Sequence, residues 1–404
     1  MNVPKLRFKE FDEEWETYSL ADIADFHKGK GISKNELSSE GELCILYGEL
    51  YTKYGEVTTE IYSKTNIESK ELIKSKKYDV LIPSSGETAK DIACSTCVLQ
   101  ENILIGGDLN ILRFKNNIDG RFISYQINGI KKQELSKYAQ GATVVHLYSQ
   151  GIKKLYLKIP NLEEQQKISN LLLSLDEKIQ LQQQKIDLLQ EQKKGFLQKM
   201  FPKADEAQPE MRFAGFTGDW EERALKEVGD FVRTSIDPQA APDSEFIEYS
   251  MPSYDNGRLP EHVLGKSMQS MRLKISGEVL LINKLNVRQK RIWLIEDAPD
   301  NAVASNEFMP FTSEKIDMTF LEQLMLSDKT TRDLESISSG TSNSQKRITP
   351  PDVLKYQIKL PKERDEQEKI GIFFKQLDNI IVLHQQKIDI YKEQKKGFMQ
   401  QMFI

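Results

Sequence analysis

A short basic segment in the second half of the chain has the residue types that contact nucleic acids. Lys284, Asn286, Arg288, Lys290 and Arg291 fall within eight residues that contain no acidic side chain. Lysine and arginine neutralise phosphates, and arginine and asparagine can hydrogen bond to guanine and adenine edges in the major groove. The segment therefore predicts a DNA-binding surface, with a solvated, charged strand edge as the alternative interpretation.

Polar residues elsewhere extend this prediction. Loops commonly carry binding residues because they lie at the surface. We therefore expect further DNA contacts from Asn306 in the second half and, in two polar turns of the first half, from Lys53, Tyr54, Ser84, Ser85, Thr88 and Lys90.

The chain has no recognisable catalytic or metal-binding motif. Cys94 and Cys97 form a C-x-x-C pair, but no second pair or nearby histidine completes a zinc site, so we interpret them as structural thiols. The segment from Ser85 to Lys90 lacks the Gly-x4-Gly-Lys-Ser/Thr spacing of a phosphate loop. A glycine-rich cofactor motif and the Asn-Pro-Pro-aromatic motif of adenine methyltransferases are missing too. We therefore expect a chain that binds rather than catalyses, with no metal ion and no cofactor of its own.

Length and composition restrict the class of protein further. The chain has 404 residues, which favours two or three domains over one. It has no apolar run long enough to span a membrane and an odd count of three cysteines, so we expect a cytoplasmic protein without a disulfide framework. The 56 basic and 61 acidic residues give a net charge of −5, which opposes DNA binding, since duplex-binding domains are usually basic. A local basic patch can still bind DNA in an acidic chain.

The chain is an internal duplication. A short opening segment recurs at an offset of 205 residues, so that Arg7 and Trp15 correspond to Arg212 and Trp220. A longer block recurs at an offset of 202 residues, from 164–196 to 366–398. Each half is therefore built as an opening segment, a variable body and a long helix.

The longer block has the period of a coiled coil. Its apolar residues follow steps of four and three, which is the a/d pattern of coiled-coil helices. Polar residues interrupt both seams at equivalent places, Gln182 or His384 and Lys193 or Lys395, and such residues can specify register. We predict two rigid helices of about 55 Å that pair within the molecule. The predicted seam residues are Ile168, Leu172, Leu175, Ile179, Ile186, Leu189, Ile370, Phe374, Leu377, Ile381, Ile388 and Tyr391.

The two bodies hardly match each other in sequence, and both mix strands with helices. We predict an α+β fold, in which two mixed α/β domains are joined by two long antiparallel coiled-coil helices with a pseudo-twofold internal repeat. The predicted segments are a first domain at 1–160, a first helix at 161–202, a linker and second domain at 203–360, and a second helix at 361–404. The candidate strands are 79–82, 103–105, 110–114, 278–282 and 292–295, and the candidate helices in the bodies are 122–132 and 318–326.

Two motifs frame each long helix. Glu-Gln-x-Lys-Ile opens it and Gln-Lys-Lys-Gly-Phe closes it, in both copies. Together with the variable bodies and the segments Gly107–Leu112 and Gly340–Ile348, they extend over nearly the whole chain. In these features the chain resembles the specificity subunit of type I restriction-modification systems.

The resemblance implies a function and a set of partners. Each body would be a target-recognition domain that reads one half of a bipartite, asymmetric site in double-stranded DNA, and the helices would fix the distance between the halves. The helices would also dock two modification subunits, which bind S-adenosylmethionine and methylate adenine. Restriction subunits would add translocation and cleavage, which use ATP and Mg²⁺. This chain would supply specificity alone.

The loop that closes each body would then contact DNA as well. It contains Thr143 in the first body, within a largely apolar segment. In the second body it is polar and basic, and the predicted contact residues there are Ser342, Asn343, Gln345, Lys346 and Arg347. We therefore expect the contact chemistry of this loop to differ between the halves.

Two other classes of function stay open from the sequence. A coiled-coil scaffold whose bodies bind proteins or glycans fits the acidic net charge better. A nuclease or methyltransferase that acts alone is opposed by the missing motifs. Salt-dependent binding to duplex DNA would favour the DNA reader over the scaffold. Activity of the isolated chain with S-adenosylmethionine or Mg²⁺ would favour the enzyme.

Overall fold

The elements of the first half end in one long helix. In a computed structural model of the protein, the described residues are 3–67, 72–115, 117–340 and 345–404. The first-half elements are β1 Glu16–Ser19, α1 Leu20–Ile23, β2 Ala24–Lys28, β3 Leu37–Ser38, β4 Glu42–Ile45, β5 Ser63–Thr65, β6 Ile73–Lys74, β7 Val80–Pro83, β8 Ser85–Gly86, α2 Ala89–Ile92, β9 Thr96–Cys97, β10 Leu104–Ile105, β11 Leu109–Phe114, α3 Gly120–Gln126, α4 Lys132–Ser136, β12 Val145–His146, α5 Ser149–Ile152, β13 Tyr156–Ile159 and α6 Leu162–Lys199. A π-helical turn, Ile127–Lys131, joins α3 to α4.

The second half follows the same plan. Its elements are β14 Glu221–Ala224, α7 Leu225–Val228, β15 Asp230–Phe231, β16 Ser235–Ile236, β17 Glu245–Tyr249, α8 Met251–Asp255, β18 Glu261–Leu264, β19 Arg272–Lys274, β20 Gly277–Asn283, β21 Ile292–Ala298, β22 Ala302–Ser305, β23 Phe308–Thr312, α9 Met318–Leu326, α10 Asp328–Ser336, α11 Pro350–Lys355, β24 Gln357–Leu360 and α12 Arg364–Gln401. The strands and helices predicted within the two bodies are confirmed, since each falls on one of these elements or on the π-helical turn.

The chain forms two compact units whose boundaries lie inside the long helices. The first unit joins residues up to 184 with 384–404, and the second contains 185–383. Each unit therefore holds one body, the first half of one long helix and the second half of the other. The four segments predicted from the sequence have their boundaries at the ends of the long helices instead of within them.

The two bodies share most of a strand order that their sequences do not reveal. They differ in the edge at which the first strand of the larger sheet lies, since β3 pairs with β5 whereas β16 pairs with β19. In the first unit, one sheet has the order β2-β11-β7-β9 and another the order β3-β5-β4-β10-β6, in which β4 and β10 are parallel. In the second unit, the corresponding sheets are β15-β23-β20-β21 and β16-β19-β22-β17-β18, in which β17 and β22 are parallel. A ribbon of the first and last strands of the body closes each unit, β1 with β13 and β14 with β24. The predicted α+β fold with an internal repeat is confirmed.

The repeated tryptophans of the opening segments are core residues. Trp15 is 1% exposed and packs edge to face on Phe122. Trp220 is 5% exposed and packs in the same way on Phe320. Both aromatic rings of each pair join a core that also includes residues of the long helices. The opening segment was duplicated with the helix because the two pack together.

Repeated polar contacts also attach each body to the start of its long helix. The Arg7 guanidinium donates two hydrogen bonds of 2.7 Å to the fully buried carboxylate of Glu164. Arg212 and Glu366 repeat this pair at 2.7 and 2.8 Å. Bidentate pairs of this kind are strong and geometrically specific. The arginine in the opening segment and the glutamate in the helix motif are therefore two halves of one contact.

The glutamine of the helix motif holds the first turn of a body helix. The Gln165 side-chain oxygen accepts a hydrogen bond of 2.9 Å from the backbone N–H of Asp119, which caps α3. Gln367 accepts the equivalent bond, also 2.9 Å, from Asp317, which caps α9. Helix starts leave backbone N–H groups unpaired, and these contacts satisfy them while they fix the body on the long helix.

The long helices pair in antiparallel fashion within each unit. In the first unit, Lys395 of α12 contacts Asp176 of α6, and His384 contacts Gln182 at 2.6 Å. In the second unit, Lys193 of α6 forms an ion pair with Asp378 of α12 at 2.7 Å. The polar residues that interrupt the seam therefore contact polar residues of the other helix. The predicted seam residues are all buried or partly buried.

The ion pair between lysine and aspartate has a different environment in the two units. In the first unit Lys395 also contacts Glu56, and the Tyr125 hydroxyl donates a hydrogen bond of 2.6 Å to Asp176. Burial raises the pKa of Asp176 above its ordinary value, although Lys395 opposes that rise. In the second unit the Asp378 side chain is 38% exposed, against 20% for Asp176. The carboxylate of Asp176 is therefore less solvated than that of Asp378, and it depends more strongly on its lysine to balance its charge.

We expect Lys395→Met to destabilise the protein by about 3 kcal/mol at pH 7, because the change leaves buried carboxylates without their cation. An acid whose pKa is higher in the folded chain than in the unfolded chain binds its proton more tightly when folded. With the raised pKa of Asp176, stability of the variant should therefore rise as the pH falls from 8 to 5. Urea denaturation across that pH range measures both effects.

The duplication supplies a matched control for this experiment. Lys193→Met removes the equivalent lysine, but its partner Asp378 is partly solvated, so we expect a loss of about 1 kcal/mol or less and a weaker pH dependence. Equal losses and equal pH profiles for the two variants would contradict the difference in environment described above.

Candidate nucleic-acid interface

The basic segment of the second unit lies in the loop between β20 and β21. The Asn283 side chain at the end of β20 hydrogen bonds to the backbone of Leu285 and starts the turn. Asn286 and Lys290 then take left-handed backbone conformations, with φ of 51° and 48°, on either side of a short 3₁₀ turn. Few residues other than glycine adopt this conformation, and asparagine is among the commoner ones. The loop is therefore a defined turn rather than a regular strand edge.

Three segments that are far apart in sequence meet at this loop. The Lys284 ammonium donates a hydrogen bond of 2.6 Å to the backbone oxygen of Asn306. The backbone N–H of Ile348 donates to the backbone oxygen of Lys284 at 3.0 Å, and that of Asn286 donates to the backbone oxygen of Lys346 at 2.9 Å. The residues predicted for the second body that the structure describes therefore belong to one surface, which we call the second loop cluster and define as 284–291, 306–307 and 345–348.

Most cations of the second loop cluster have carboxylate partners. The basic segment has no acidic residue in sequence, but the fold supplies acidic residues from neighbouring elements. The ion pairs are Arg288 with Glu335, Lys290 with Asp328, Arg291 with Asp255 and Arg347 with Glu307. The lack of acidic residues within 284–291 therefore does not leave these cations unpaired in the fold, and their contact with DNA stays a prediction.

The remaining polar residues of the second loop cluster differ in exposure. Burial lowers the pKa of Lys284, and Lys346 is partly buried. Gln345 is exposed, and the Asn306 side chain donates to the backbone oxygen of Met271 at 2.9 Å. Two further predicted contact residues, Ser342 and Asn343, lie outside the described residues.

The first unit buries two of its predicted contact residues. Ser84 and Ser85 are 8% and 6% exposed, because β8 pairs with β12 and the backbone of Ser84 accepts a hydrogen bond from Leu147. Their side chains are therefore removed from the predicted contact surface. Their backbones instead pair with the end of the loop that contains Thr143. The side chain of Thr143 is exposed.

The other predicted residues of the first unit lie at its surface or close to it. Thr88 caps α2, where its hydroxyl oxygen accepts a hydrogen bond of 3.1 Å from Asp91, and Lys90 is exposed. Lys53 forms an ion pair of 2.8 Å with Glu49. Burial raises the pKa of Tyr54 well above its ordinary value, so its hydroxyl stays protonated.

Exposed apolar residues on the long helices were missed from the sequence. They lie off the a/d seam, but they recur at the repeat offset of 202 residues, which is a signal that could have found them. The exposed fractions are 61% for Leu181, 55% for Leu383, 54% for Leu188 and 55% for Ile390. Single exposed apolar residues are ordinary, but these four stand in two matched pairs at equivalent helix positions.

The cysteines have no geometry for metal or redox chemistry. All three are free and buried, and burial raises the pKa of Cys94 to about 12, so that its thiol stays protonated. Across 3–67, 72–115, 117–340 and 345–404, no group of three or more His, Cys, Asp or Glu side chains could hold a metal ion. Within the same ranges, every helix is too short or too polar to cross a membrane.

Solved structures of low sequence identity share this fold. The S subunit of a type I restriction-modification system from M. genitalium has a TM-score of 0.67 at 14% identity, over 100% of this chain and 99% of its own. A chain from a structure described as the basis of complex assembly and conformational transition of the type I R-M system has a TM-score of 0.52 at 14% identity, over 95% and 96% of the two chains.

Sequence comparisons point to the same group of proteins. The type I restriction enzyme MjaVIII specificity subunit of Methanocaldococcus jannaschii is 28% identical over 408 residues, which cover 96% of this chain and 91% of that protein. The family model for the type I restriction modification DNA specificity domain matches twice, at residues 12–191 and 217–390, once in each half of the duplication. The chain therefore belongs to the family of type I restriction-modification specificity subunits.

Proposed function

We propose that this chain reads a two-part, asymmetric DNA sequence and positions the catalytic subunits of a type I restriction-modification complex on it. The observation that supports this most strongly is the contrast between frame and loops. The two bodies share the strand order of the smaller sheet, four strands of the larger sheet and the same attachment to their helices, but the loops they expose differ in sequence and charge. One frame with two different surfaces suits the recognition of two different half-sites.

The catalytic chemistry is assigned to partner subunits. Two modification subunits would bind S-adenosylmethionine and methylate adenine, and restriction subunits would use ATP and Mg²⁺. We place the complex in the cytoplasm, where it meets the DNA that it modifies.

The net charge of −5 and the ion-paired cations of the second loop cluster favour a different candidate, a scaffold that binds proteins and not DNA.

A map of adenine methylation separates these two functions. Cells that contain this chain and its modification subunit should show a methylated, asymmetric, two-part motif, and cells that lack only this chain should not. No difference between the maps, with a modification subunit that is active alongside another specificity subunit, would favour the scaffold.

The exposed apolar residues of the long helices are the proposed docking sites for the modification subunits. Leu181 and Ile390 belong to the first unit, and Leu188 and Leu383 belong to the second. Each unit therefore presents one apolar residue from each helix at equivalent repeat positions. Two equivalent surfaces suit two copies of the same partner, since burial of apolar side chains stabilises association.

We expect the double variant Leu181→Asp with Ile390→Asp to bind one modification subunit in place of two, because it introduces charge into one of the two contacts. Leu188→Asp with Leu383→Asp should remove the other subunit. Native mass spectrometry of the reconstituted complex counts the bound subunits.

The matched control replaces exposed polar residues of the same helices at equivalent positions. Gln184→Asp with Gln386→Asp should leave two modification subunits bound. Two bound copies in both apolar variants, with urea stability unchanged, would place the docking surface elsewhere.

The ion pairs of the second loop cluster lead to a prediction about salt. Lys346 forms no ion pair with the residues that the structure describes, whereas Arg291 is paired with Asp255 at 2.6 Å. We expect Lys346→Ala to lower the slope of log affinity against log salt by about 1, because a free cation that meets a phosphate releases a counterion. Arg291→Ala should change the slope little. DNA affinity of the complex at several salt concentrations measures both, and equal slopes for the two variants would oppose this assignment.

A further inference from the structure

The loops that close the two bodies have the same backbone frame. In the first unit, Gln140 and His146 exchange backbone hydrogen bonds of 2.8 and 2.7 Å. In the second unit, Ser339 and Arg347 exchange the equivalent bonds at 2.9 and 2.8 Å. His146 therefore occupies the position of Arg347.

A glycine with positive φ opens each of these loops. Gly141 has a φ of 124° and Gly340 a φ of 153°. A Cβ atom on Gly141 would lie 2.1 Å from the backbone oxygen of Val144, and one on Gly340 would lie 2.9 Å from that of Gln345. At both positions a side chain would meet the backbone at the other end of the loop, and Val144 occupies the position of Gln345, two residues before the end of the frame.

The third contact of the frame joins each loop to the body. The backbone N–H of Leu147 donates to the oxygen of Ser84 at 3.0 Å, and that of Ile348 donates to the oxygen of Lys284 at 3.0 Å. These correspondences rest on backbone hydrogen bonds, so they hold although the side chains are unrelated.

The side chains at matched positions differ most at Val144 and Gln345, since Ser84 and His146 can hydrogen bond as Lys284 and Arg347 do. The second unit has Lys284, Gln345 and Arg347, all of which can hydrogen bond or carry charge. The first unit has a buried Ser84 and, at the loop surface, Val144 with an exposed fraction of 52%. The tip of the first loop is therefore apolar at the point where the second loop is polar.

An aromatic pair follows Val144 in the sequence. His146 and Tyr148 stack with ring centroids 5.8 Å apart and an interplanar angle of 21°, and Tyr148 is 50% exposed. Because the backbone of His146 is bonded to Gln140, Val144 has a framed backbone and an exposed side chain.

We propose that Val144 recognises thymine in duplex DNA by van der Waals contact with the 5-methyl group. This inference rests on the proposed function and assigns a base to one residue within it. The thymine methyl is the apolar group that the major groove presents, and apolar side chains are the ones that read it. A valine offers no hydrogen bond, so polar base edges would lose their water without a replacement partner.

The test uses the complex of this chain with its modification subunit and a duplex that contains the mapped target. Each thymine is replaced in turn with uracil, which removes the 5-methyl group alone. At one position we expect affinity to fall by about fourfold, the effect of one buried methyl-sized group. Val144→Ala should weaken binding by a similar factor and should then be insensitive to uracil at that same position.

Gln345→Ala provides the control, because it changes the matched residue of the other unit. That variant should keep the full sensitivity to uracil. The inference is overturned if no thymine shows the effect, or if Val144→Ala keeps its sensitivity at every position. Failure of the proposed function looks different, since the complex would then not prefer the target over unrelated duplex at all.

Discussion

The ion pair between a lysine of one long helix and an aspartate of the other is the contact on which the repeated frame depends. It occurs as Lys395 with Asp176 in the first unit and as Lys193 with Asp378 in the second. Apolar seams tolerate slippage by a turn, because one leucine can replace another. A partly buried lysine cannot move opposite a leucine without losing its counter-charge, and that loss is costly. Register along each helix pair is therefore specified by charge, while the seam residues supply most of the burial.

The position of each body follows from the helix on which it is built. Arg7 binds the buried Glu164, and the next residue, Gln165, accepts from the first turn of α3. Both contacts lie within the first turns of α6, and the second unit repeats them with Arg212, Glu366 and Gln367. The arginine contact uses the opening segment and the helix, and the glutamine contact uses a backbone N–H of the body, so the side chains of the body can change without loss of its attachment. This explains why duplication preserved the frame and not the bodies.

The sequence predicted the parts of the fold that depend on local pattern. The a/d period and the repeat offsets were enough to place both long helices, because helical periodicity is visible within a few turns. The strand order that the bodies largely share could not be read from the sequence, since β4 pairs with β10 across about 60 residues and the two bodies share little sequence. The environments of the candidate site residues were harder to predict than the fold. Ser84 and Ser85 look like loop residues but are buried by β12, and Arg288 meets Glu335 only after folding. Burial and ion pairing between distant segments are tertiary properties that composition does not encode.

The ion pairs of the second loop cluster also explain how an acidic chain suits the proposed reading of DNA. Unpaired cations bind any phosphate backbone, and that sequence-independent affinity competes with the target at every other site in a genome. With Arg288, Arg291 and Arg347 held by carboxylates, little affinity comes from charge alone. A phosphate that binds one of these arginines must compete with its carboxylate, so the carboxylates act as internal competitors, although each of these partly exposed pairs is worth only about 1 kcal/mol or less. Discrimination then depends on matched contacts to base edges, and a net charge of −5 favours specificity at the expense of general affinity for DNA.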